Sequence, residues 1–300
     1  MYLKLKRKVI DHLGYRIGKI RFNKYCKLQE DERKEPEYKL LYFCGQSSIN
    51  FLNASLISVY KSWKLLPNII IVTDGTPTEY IKANLIKWPK NVYVCTWEEC
   101  GAYYKQKGNI ALYQHALQHR WPARKLVSLL YFAEKFPVLY SDTDVLWYSD
   151  IDNTKISTSP FLRMGEDIEK SYTYSLLKSL GEENIRSFLN SGVMYMHGDF
   201  SSYPKWDILC NSLLKNPDED NFAEQTAFAL LHNYFDSKNV WNLKQVVIEV
   251  DDKYDLRFNR HKFSDLIARH HVGNKDVTFW RDFTYIYLFR RSRNLRNVNG

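Results

Sequence analysis

Paired cysteines and long apolar runs are both missing from this sequence of 300 residues. The five cysteines are an odd number and none forms a C-x-x-C pair, which argues against a disulfide framework or a zinc site and fits a reducing compartment. No stretch approaches the ~18 consecutive apolar residues of a membrane span. The N-terminus is basic, but the apolar core of a signal peptide does not follow it. These absences predict a cytoplasmic protein.

A net positive charge is missing from the body of the chain. The net charge is +9, but residues 1–27 contribute nine Lys and Arg against one Asp, and residues 281–300 contribute five Arg against one Asp. Residues 28–280 therefore carry a net charge of −3. A nucleic-acid-binding domain more often has its basic surface on the folded body, so we expect no nucleic-acid partner.

Both basic ends interleave cations with bulky apolar or aromatic residues. This composition suits ends that rest on an anionic membrane surface, with apolar side chains down and cations at the headgroups. The alternative is that both ends are helices that pack on the body and expose basic faces to solvent. The sequence leaves these two interpretations open.

Between the ends, strand and helix patterns alternate. Strands are predicted at 38–45, 68–75, 91–97 and 137–141, and helices at 47–63, 79–88 and 123–136. The alternation predicts an α/β fold, with a mainly parallel, Rossmann-like sheet and helices on both faces. We therefore predict three parts: a basic segment with a charged linker at 1–37, one α/β domain at 38–280 and a basic aromatic tail at 281–300.

Three of the predicted strands have candidate site residues at their carboxyl ends. This is the edge where open parallel sheets bind ligands. The residues are Cys44, Gly45, Thr73, Asp74, Asp142 and Asp144. We expect a ligand site at this edge of the sheet.

Two carboxylates, Asp142 and Asp144, come directly after a strand in "VLYSDTDVLW". Side chains at i and i+2 of an extended backbone point to the same side, so the two acids converge if strand geometry continues through them. Two such carboxylates can hold Mg²⁺ or Mn²⁺, which prefer oxygen ligands and keep positions open for phosphates. The pair therefore predicts a divalent metal site.

A phosphatase of the haloacid-dehalogenase type is one interpretation of the two acids. In it, Asp142 would attack phosphorus and Asp144 would act as acid and base, while Asp251 and Asp252 would hold magnesium. The surrounding sequence disfavours it. That motif normally lies near the N-terminus and continues with a small residue and Thr, whereas here Val145 follows about 140 residues of βα pattern.

Four segments, taken in order, resemble the GT-A glycosyltransferases, and are most similar to family 8 and the related nucleotide-diphospho-sugar transferases. They are "KLVSLLYFAEKFPVLYSDTDVLW" (125–147), "FLNSGVMYMHGDF" (188–200), "FAEQTAFALL" (222–231) and "HHVGNKDVTFW" (270–280). The resemblance covers about residues 38–280. It implies a GT-A catalytic domain that transfers a sugar from a nucleotide sugar, with UDP as the expected nucleotide, to an acceptor hydroxyl.

The resemblance also implies how the leaving diphosphate is handled. Asp142, Asp144 and a histidine would hold Mn²⁺ or Mg²⁺; the His-x-x-Gly spacing favours His270, with His271 as the adjacent alternative. Lys275 would contact the phosphates. Gly273 would let the backbone approach them closely. In this chain the lysine follows the glycine by two residues rather than three.

Further site residues follow from the same resemblance. Lys125, with Arg124 as the alternative, would touch the donor sugar or a phosphate. Gln225 would lie close to the reacting carbon, and Glu224 would help to hold the sugar. Retention of the anomeric configuration is implied, with an inverting transferase as the alternative. Asn190, Ser191 and Gly192 would lie near donor sugar and acceptor, and Cys44, Gly45, Thr73 and Asp74 would frame base and ribose.

The basic ends suggest where the acceptor is. We expect a glycan or lipid-linked acceptor, and a cytoplasmic protein with peripheral contact to the inner face of a membrane.

Overall fold

A seven-stranded sheet and a smaller three-stranded sheet frame the part of the chain that this computed structural model describes. The described residues are 12–18, 22, 28–118, 121–151, 159–183, 185, 188–215, 222–235, 238–248, 265–272 and 276–284. The strands are β1 Lys39–Cys44, β2 Ile69–Thr73, β3 Val92–Thr96, β4 Val138–Ser141, β5 Val145–Trp147, β6 Phe161–Glu166, β7 Leu189–His197, β8 Val240–Trp241, β9 Val246–Ile248 and β10 Ala268–His270.

Helices cover both faces of the larger sheet. They are α1 12–18, α2 Ile49–Ser62, α3 Thr78–Asn84, α4 Trp97–Gln106, α5 Ile110–Gln118, α6 Trp121–Lys135, α7 Tyr174–Leu180, α8 Trp206–Lys215, α9 Ala223–Phe235 and α10 276–284, with single 3₁₀ turns at Gln46–Ser48 and Phe200–Ser202.

The larger sheet is parallel except for one strand. Its order is β3-β2-β1-β4-β7-β6-β8, and only β7 runs against its neighbours β4 and β6. The carboxyl ends of β1, β2 and β4 therefore meet at one edge. In the smaller sheet, β10 pairs antiparallel with β5 and parallel with β9, so that His270 lies opposite Val145. The predicted α/β fold with a mainly parallel sheet is confirmed.

The inner strands β2 and β4 are apolar without alternation because both of their faces are buried. All five residues of β2 and all four of β4 are buried, which is the pattern of a parallel sheet covered on two sides. Leu40 and Tyr42 of β1 belong to one apolar layer, and Leu41 and Phe43 to the other. The site therefore rests on a sheet that is fixed from both faces.

One predicted helix is shorter than expected. The pattern at 79–88 predicts a helix, but α3 ends at Asn84, and Leu85 is extended with φ −77° and ψ 141°. Beyond it, the backbone N–H of Ile86 donates to Oδ1 of Asn53 at 3.0 Å, and the indole of Trp88 donates to the carbonyl of Pro67 at 3.0 Å. These bonds to distant segments draw the chain out of the helix, which local periodicity does not reveal.

The two basic ends contact each other in the structure. The hydroxyl of Thr284 in α10 donates to the carbonyl of Gly14 in α1 at 2.8 Å. The ring of Phe22 lies 5.3 Å from that of Trp280 and 6.1 Å from that of Phe283, centre to centre. Parts of both ends thus pack on each other, and α10 crosses the predicted boundary at 280. Most of their cations, in 1–11, 19–21, 23–27 and 285–300, lie outside the described residues.

No helix among the described residues is both long and apolar enough to cross a membrane.

Candidate active site

Asp142, Asp144 and His270 form a cluster beyond the carboxyl end of β4. One potential ligand atom from each lies within 4.8 Å of the others. Nε2 of His270 is 3.5 Å from Oδ2 of Asp142 and 3.4 Å from Oδ1 of Asp144. The structure therefore brings together the two acids and the histidine that the sequence proposed as metal ligands.

The two acids meet through a turn, not through an extended strand. Strand β4 ends at Ser141, and the N–H of Val145 donates to the carbonyl of Asp142 at 3.3 Å, closing the turn before β5. Strand β10 pairs with β5, and the N–H of His271 donates to the carbonyl of Asp144 at 3.0 Å. The strand does not continue through the two acids, which was the condition for their predicted convergence. The turn and the pairing of β10 with β5 bring them together instead.

The two neighbouring histidines face opposite sides of β10. Nδ1 of His270 lies 2.9 Å from Oδ1 of Asn190, so that its Nε2 faces the acids. Nδ1 of His271 lies 3.2 Å from the hydroxyl of Thr278, on the far side of the strand. Burial opposes the imidazolium of His270, but the hydrogen bond and charge of Asp144 outweigh it and raise its pKa. The geometry thus selects His270 over His271 for this cluster.

Lys125 of α6 contacts the cluster from the protein interior and is 2% exposed. Its Nζ lies 3.3 Å from Oδ1 of Asp142 and 3.3 Å from Oε1 of Glu224, and it donates to the carbonyl of Ser191 at 3.2 Å. It also lies 4.6 Å from the ring centre of Tyr140. Burial lowers the pKa of this lysine, but the charges of Asp142 and Glu224 outweigh burial and raise it.

Asn190, Ser191 and Gly192 connect these side chains. The register between β6 and β7 shifts here: Met164 pairs with Met194, but Gly165 pairs with Asn190. Such irregularities are common beside active sites, where they redirect polar groups. The irregular segment gives each of its three residues a partner in the cluster.

Ser191 contacts the start of helix α9. Its hydroxyl donates to Oε2 of Glu224 at 3.0 Å, and its N–H donates to Oε1 of Gln225 at 3.2 Å. Gln225 also donates to the carbonyl of Ser171 at 2.9 Å. Burial raises the pKa of Glu224 to about 6, although Lys125 opposes the rise. Glu224 and Gln225 are thus held by side-chain and backbone bonds around Ser191.

Gly192 contacts Asp142, Asn190 and the ring of His270. Its carbonyl accepts from the N–H of Asp142 at 2.8 Å, and its N–H donates to Oδ1 of Asn190 at 2.8 Å. A Cβ at this position would collide with the imidazole ring of His270. Glycine is required here because the ring occupies the space of a side chain.

The ends of β1 and β2 form a second group of polar residues next to this cluster. The Asp74 carboxylate lies where a Cβ on Gly45 would be, and its Oδ1 accepts from the hydroxyl of Thr76 at 2.8 Å. The N–H of Asp74 donates to the carbonyl of Cys44 at 3.3 Å. The hydroxyl of Thr73 is buried beside them. The strand order thus places the four residues predicted for base and ribose on the same edge as Asp142.

Arg124 and Lys125 diverge, as neighbours on a helix must, and each contacts one of the two groups. Nη1 of Arg124 donates to the carbonyl of Asp74 at 2.5 Å, and its guanidinium lies 4.7 Å from the ring centre of Trp97. Lys125 is the residue at the Asp142 cluster.

Sequence reasoning missed two residues of the cluster. The hydroxyl of Tyr140 donates to Oδ1 of Asp142, and Oδ2 of Asp167 accepts from Nδ2 of Asn190 at 3.1 Å. Tyr140 could have been found, because it lies two residues before Asp142 and so on the same side of β4. Asp167 precedes Asn190 by 23 residues, and no local pattern joins them.

Four residues named from the sequence lie outside the described residues. They are Gly273 and Lys275 of the proposed phosphate contact, and Asp251 and Asp252 of the phosphatase interpretation.

The cluster fits a hard divalent cation. Two carboxylates and one imidazole are a donor set for Mg²⁺ or Mn²⁺. With metal–oxygen bonds of about 2.1 Å, adjacent ligand atoms of an octahedron lie about 3 Å apart, close to the 3.4 and 3.5 Å between Nε2 of His270 and the two acids.

Comparison with known proteins gives matches of structure only. No described protein family and no curated protein matches the sequence. Mouse xyloside xylosyltransferase 1 matches over 79% of this chain and 98% of its own, at 12% identity and a TM-score of 0.50. Galactosyltransferase LgtC, in complex with donor and acceptor sugar analogs, matches over 83% of this chain and 94% of its own, at 13% identity and a TM-score of 0.51.

A third match is the bifunctional glycosyltransferase WbbM, over 87% of this chain and 52% of its own, at 13% identity and a TM-score of 0.52. At such identities the likeness concerns the fold. The chain has the GT-A glycosyltransferase fold, which confirms the fold that the four segments implied. The phosphatase interpretation is not favoured by these matches.

Proposed function

We propose that the chain is a metal-dependent glycosyltransferase that moves a sugar from a nucleotide sugar to an acceptor hydroxyl. The observation that carries the proposal is the cluster of Asp142, Asp144 and His270 at the carboxyl edge of a GT-A sheet, with Lys125 in contact with it. Open parallel sheets bind their ligands at this edge.

Mn²⁺ or Mg²⁺ would be held by Asp142, Asp144 and His270. A bound divalent ion neutralises the negative charge that develops on a departing diphosphate, which is otherwise a poor leaving group. Lys125 adds a buried cation within 3.3 Å of Asp142. Lys275 is proposed as a further phosphate contact, with Gly273 allowing the backbone close approach.

The donor side of the site is proposed at the ends of β1 and β2. Cys44, Gly45, Thr73 and Asp74 would frame the base and the ribose, and UDP is the expected nucleotide from the sequence resemblance. The Arg124 bond to the carbonyl of Asp74 would hold this loop against α6.

The sugar side is proposed at the start of α9. Gln225 would lie close to the reacting carbon. Glu224 would help to hold the sugar and would also hold Lys125 in position through their ion pair. Retention of configuration is the expected outcome, and Ser191 and Gly192 complete the floor of the site. Analysis of the product anomer by NMR distinguishes this from an inverting transferase on the same fold.

The acceptor is proposed to be a glycan or a lipid-linked hydroxyl at the inner face of a membrane. The basic composition of both ends supports this, together with the contact between α1 and α10 that brings the two ends to one place on the molecule.

A ligand screen followed by turnover tests the proposal. A ligand that binds only the folded state raises its melting temperature, so nucleoside diphosphates and nucleotide sugars are compared in the presence of Mn²⁺. The identified donor should then be hydrolysed or transferred by the wild type, but not in chelator. Asp142→Ala and Asp144→Ala should abolish turnover, while Asp207→Ala on the exposed side of α8 should not. Undiminished turnover of the wild type in chelator, or of either site variant, contradicts the proposal.

A further inference from the structure

The side-chain amide of Asn190 has one possible orientation. Its Oδ1 lies 2.8 Å from the N–H of Gly192, which can only donate, and its Nδ2 lies 3.1 Å from the carboxylate of Asp167, which accepts. Exchanging the oxygen and nitrogen of the amide would place like groups against each other at both contacts. Oδ1 therefore faces Nδ1 of His270, at 2.9 Å.

The amide in turn determines which ring nitrogen of His270 carries hydrogen. An amide oxygen only accepts, so Nδ1 must be the donor. The neutral imidazole then has its lone pair on Nε2, the atom that lies 3.5 Å from Asp142 and 3.4 Å from Asp144. A metal ligand needs this lone pair.

The two carboxylates of the cluster favour the opposite tautomer, with hydrogen on Nε2. With hydrogen on Nε2, the ring would donate to the carboxylates of Asp142 and Asp144. It would then have no Nε2 lone pair with which to bind a metal. Something must favour the Nδ1–H form, and Oδ1 of Asn190 is placed to do so.

Asn190 is poorly placed to do anything else. It is 9% exposed, both acceptor positions of its oxygen are used by Gly192 and His270, and one of its two amide hydrogens is used by Asp167. The space beside it is also adapted to the ring, because Gly192 has no Cβ to collide with the imidazole.

We infer that Asn190 is a positioning residue for the His270 imidazole, anchored by Asp167, and that it does not serve as a contact of the donor sugar. The inference rests on the proposed metal site and deepens it. Groups that bond to the outer nitrogen of a ligating histidine fix its ring and tautomer, and their loss typically lowers metal affinity 10–100-fold.

Binding of Mn²⁺ alone, followed by the EPR signal of the free ion, tests the inference without nucleotide or turnover. Asn190→Leu keeps the size of the side chain and removes the acceptor; it should lower Mn²⁺ affinity on the order of 10–100-fold. Asn190→Asp combined with Asp167→Asn keeps an acceptor toward His270 and reverses the bond between the two positions. This double variant should bind Mn²⁺ within a few-fold of wild type.

Three results overturn the inference. They are wild-type Mn²⁺ affinity in folded Asn190→Leu with an unchanged KM for the donor, the same Mn²⁺ affinity with a raised KM for the donor, and equal loss of Mn²⁺ affinity in Asn190→Leu and the double variant. Melting curves confirm that each variant is folded. A wild type that binds no Mn²⁺ overturns the metal site itself, and it does so before any variant is compared, so the two failures are distinct.

A second measurement needs no substitution at Asn190. In ¹⁵N-histidine-labelled protein without metal, the Nδ1–H proton of His270 should give a resonance protected from solvent exchange, because it is buried in the bond to Asn190. The resonance is assigned by its loss in His270→Gln. Absence of a protected Nδ1–H signal in the wild type overturns the inference, even if Asn190→Leu does not fold.

Discussion

The Nζ of Lys125 lies 3.3 Å from Oδ1 of Asp142, and the lysine is 2% exposed. Nζ is also 3.3 Å from Oε1 of Glu224, so one buried cation is shared by two carboxylates. Removal of one partner from a buried ion pair leaves an uncompensated charge, which is far more costly than the net value of the pair. Lys125 therefore helps to hold Asp142 and Glu224 in place beside each other.

Lys125→Met should destabilise the fold by about 3 kcal/mol, because Asp142 and Glu224 lose their shared cation. Urea unfolding measures the change, and Lys135→Met, at the exposed end of the same helix, is the matched control. In a double-mutant cycle with Glu224→Gln, the coupling should be at least about 1 kcal/mol. Additive effects of the two substitutions would show that the ion pair does not bear on stability.

Gly192→Ala should displace the imidazole of His270. The backbone at Gly192 has no positive φ, so alanine is not strained there, and the effect is the collision of its Cβ with the ring. We expect at least about a tenfold loss of Mn²⁺ affinity, as when a group that orients a ligating histidine is removed. EPR titration measures it.

Gly165→Ala is the control for this substitution. Gly165 pairs with Asn190 across the same strands, but a Cβ there would come no nearer to another atom than 3.3 Å, from Cγ1 of Val246, a contact that can relax. Its Mn²⁺ affinity should stay near that of wild type. Equal affinities in all three proteins would contradict the steric role of Gly192.

The ends of the strands were the most predictable part of the molecule. The apolar runs that became β1, β2 and β4 placed Cys44, Asp74 and Asp142 on one edge, because parallel strands end together. The sequence did not predict the turn at Asp142, since its conformation depends on the pairing of β5 with β10, more than 120 residues later in the chain.

Residue roles were less predictable, because they depend on contacts between distant segments. Asn190 was expected near the sugar, and its bond to His270 spans 80 residues. The choice between His270 and His271 also required the structure: periodicity places neighbours of a strand on opposite faces, but it does not say which face is the site.

Phe22→Ala should loosen the contact between the two ends of the chain. Phe22 is buried against Trp280 and Phe283, and truncating a buried phenylalanine costs about 3–5 kcal/mol. Limited proteolysis should therefore cut the N-terminal segment faster than in wild type. Leu13→Ala is the control, because Leu13 is 53% exposed. Unchanged cleavage in Phe22→Ala would argue against this packing in solution.

The membrane proposal predicts that cations of both ends act together on anionic vesicles. Removing 1–27 and 281–300 would delete α1 and part of α10, including the bond between Thr284 and Gly14, so neutralisation is the cleaner change. Residues 1–11 and 285–300 contain four Lys or Arg each; replacing all of them by Gln leaves the packed helices intact.

Each cation near an anionic surface contributes on the order of 1 kcal/mol, so neutralising either set should weaken co-sedimentation with phosphatidylglycerol vesicles at least about tenfold, and both sets together more. Binding should also weaken with added salt, because screening shortens the range of the attraction. The control replaces four exposed lysines of the body by Gln: Lys61, Lys64, Lys82 and Lys87. Equal loss in this control would mean that net charge, not the placement of charge at the ends, governs binding, and unchanged binding in the neutralised ends would rule out their role as the membrane contact.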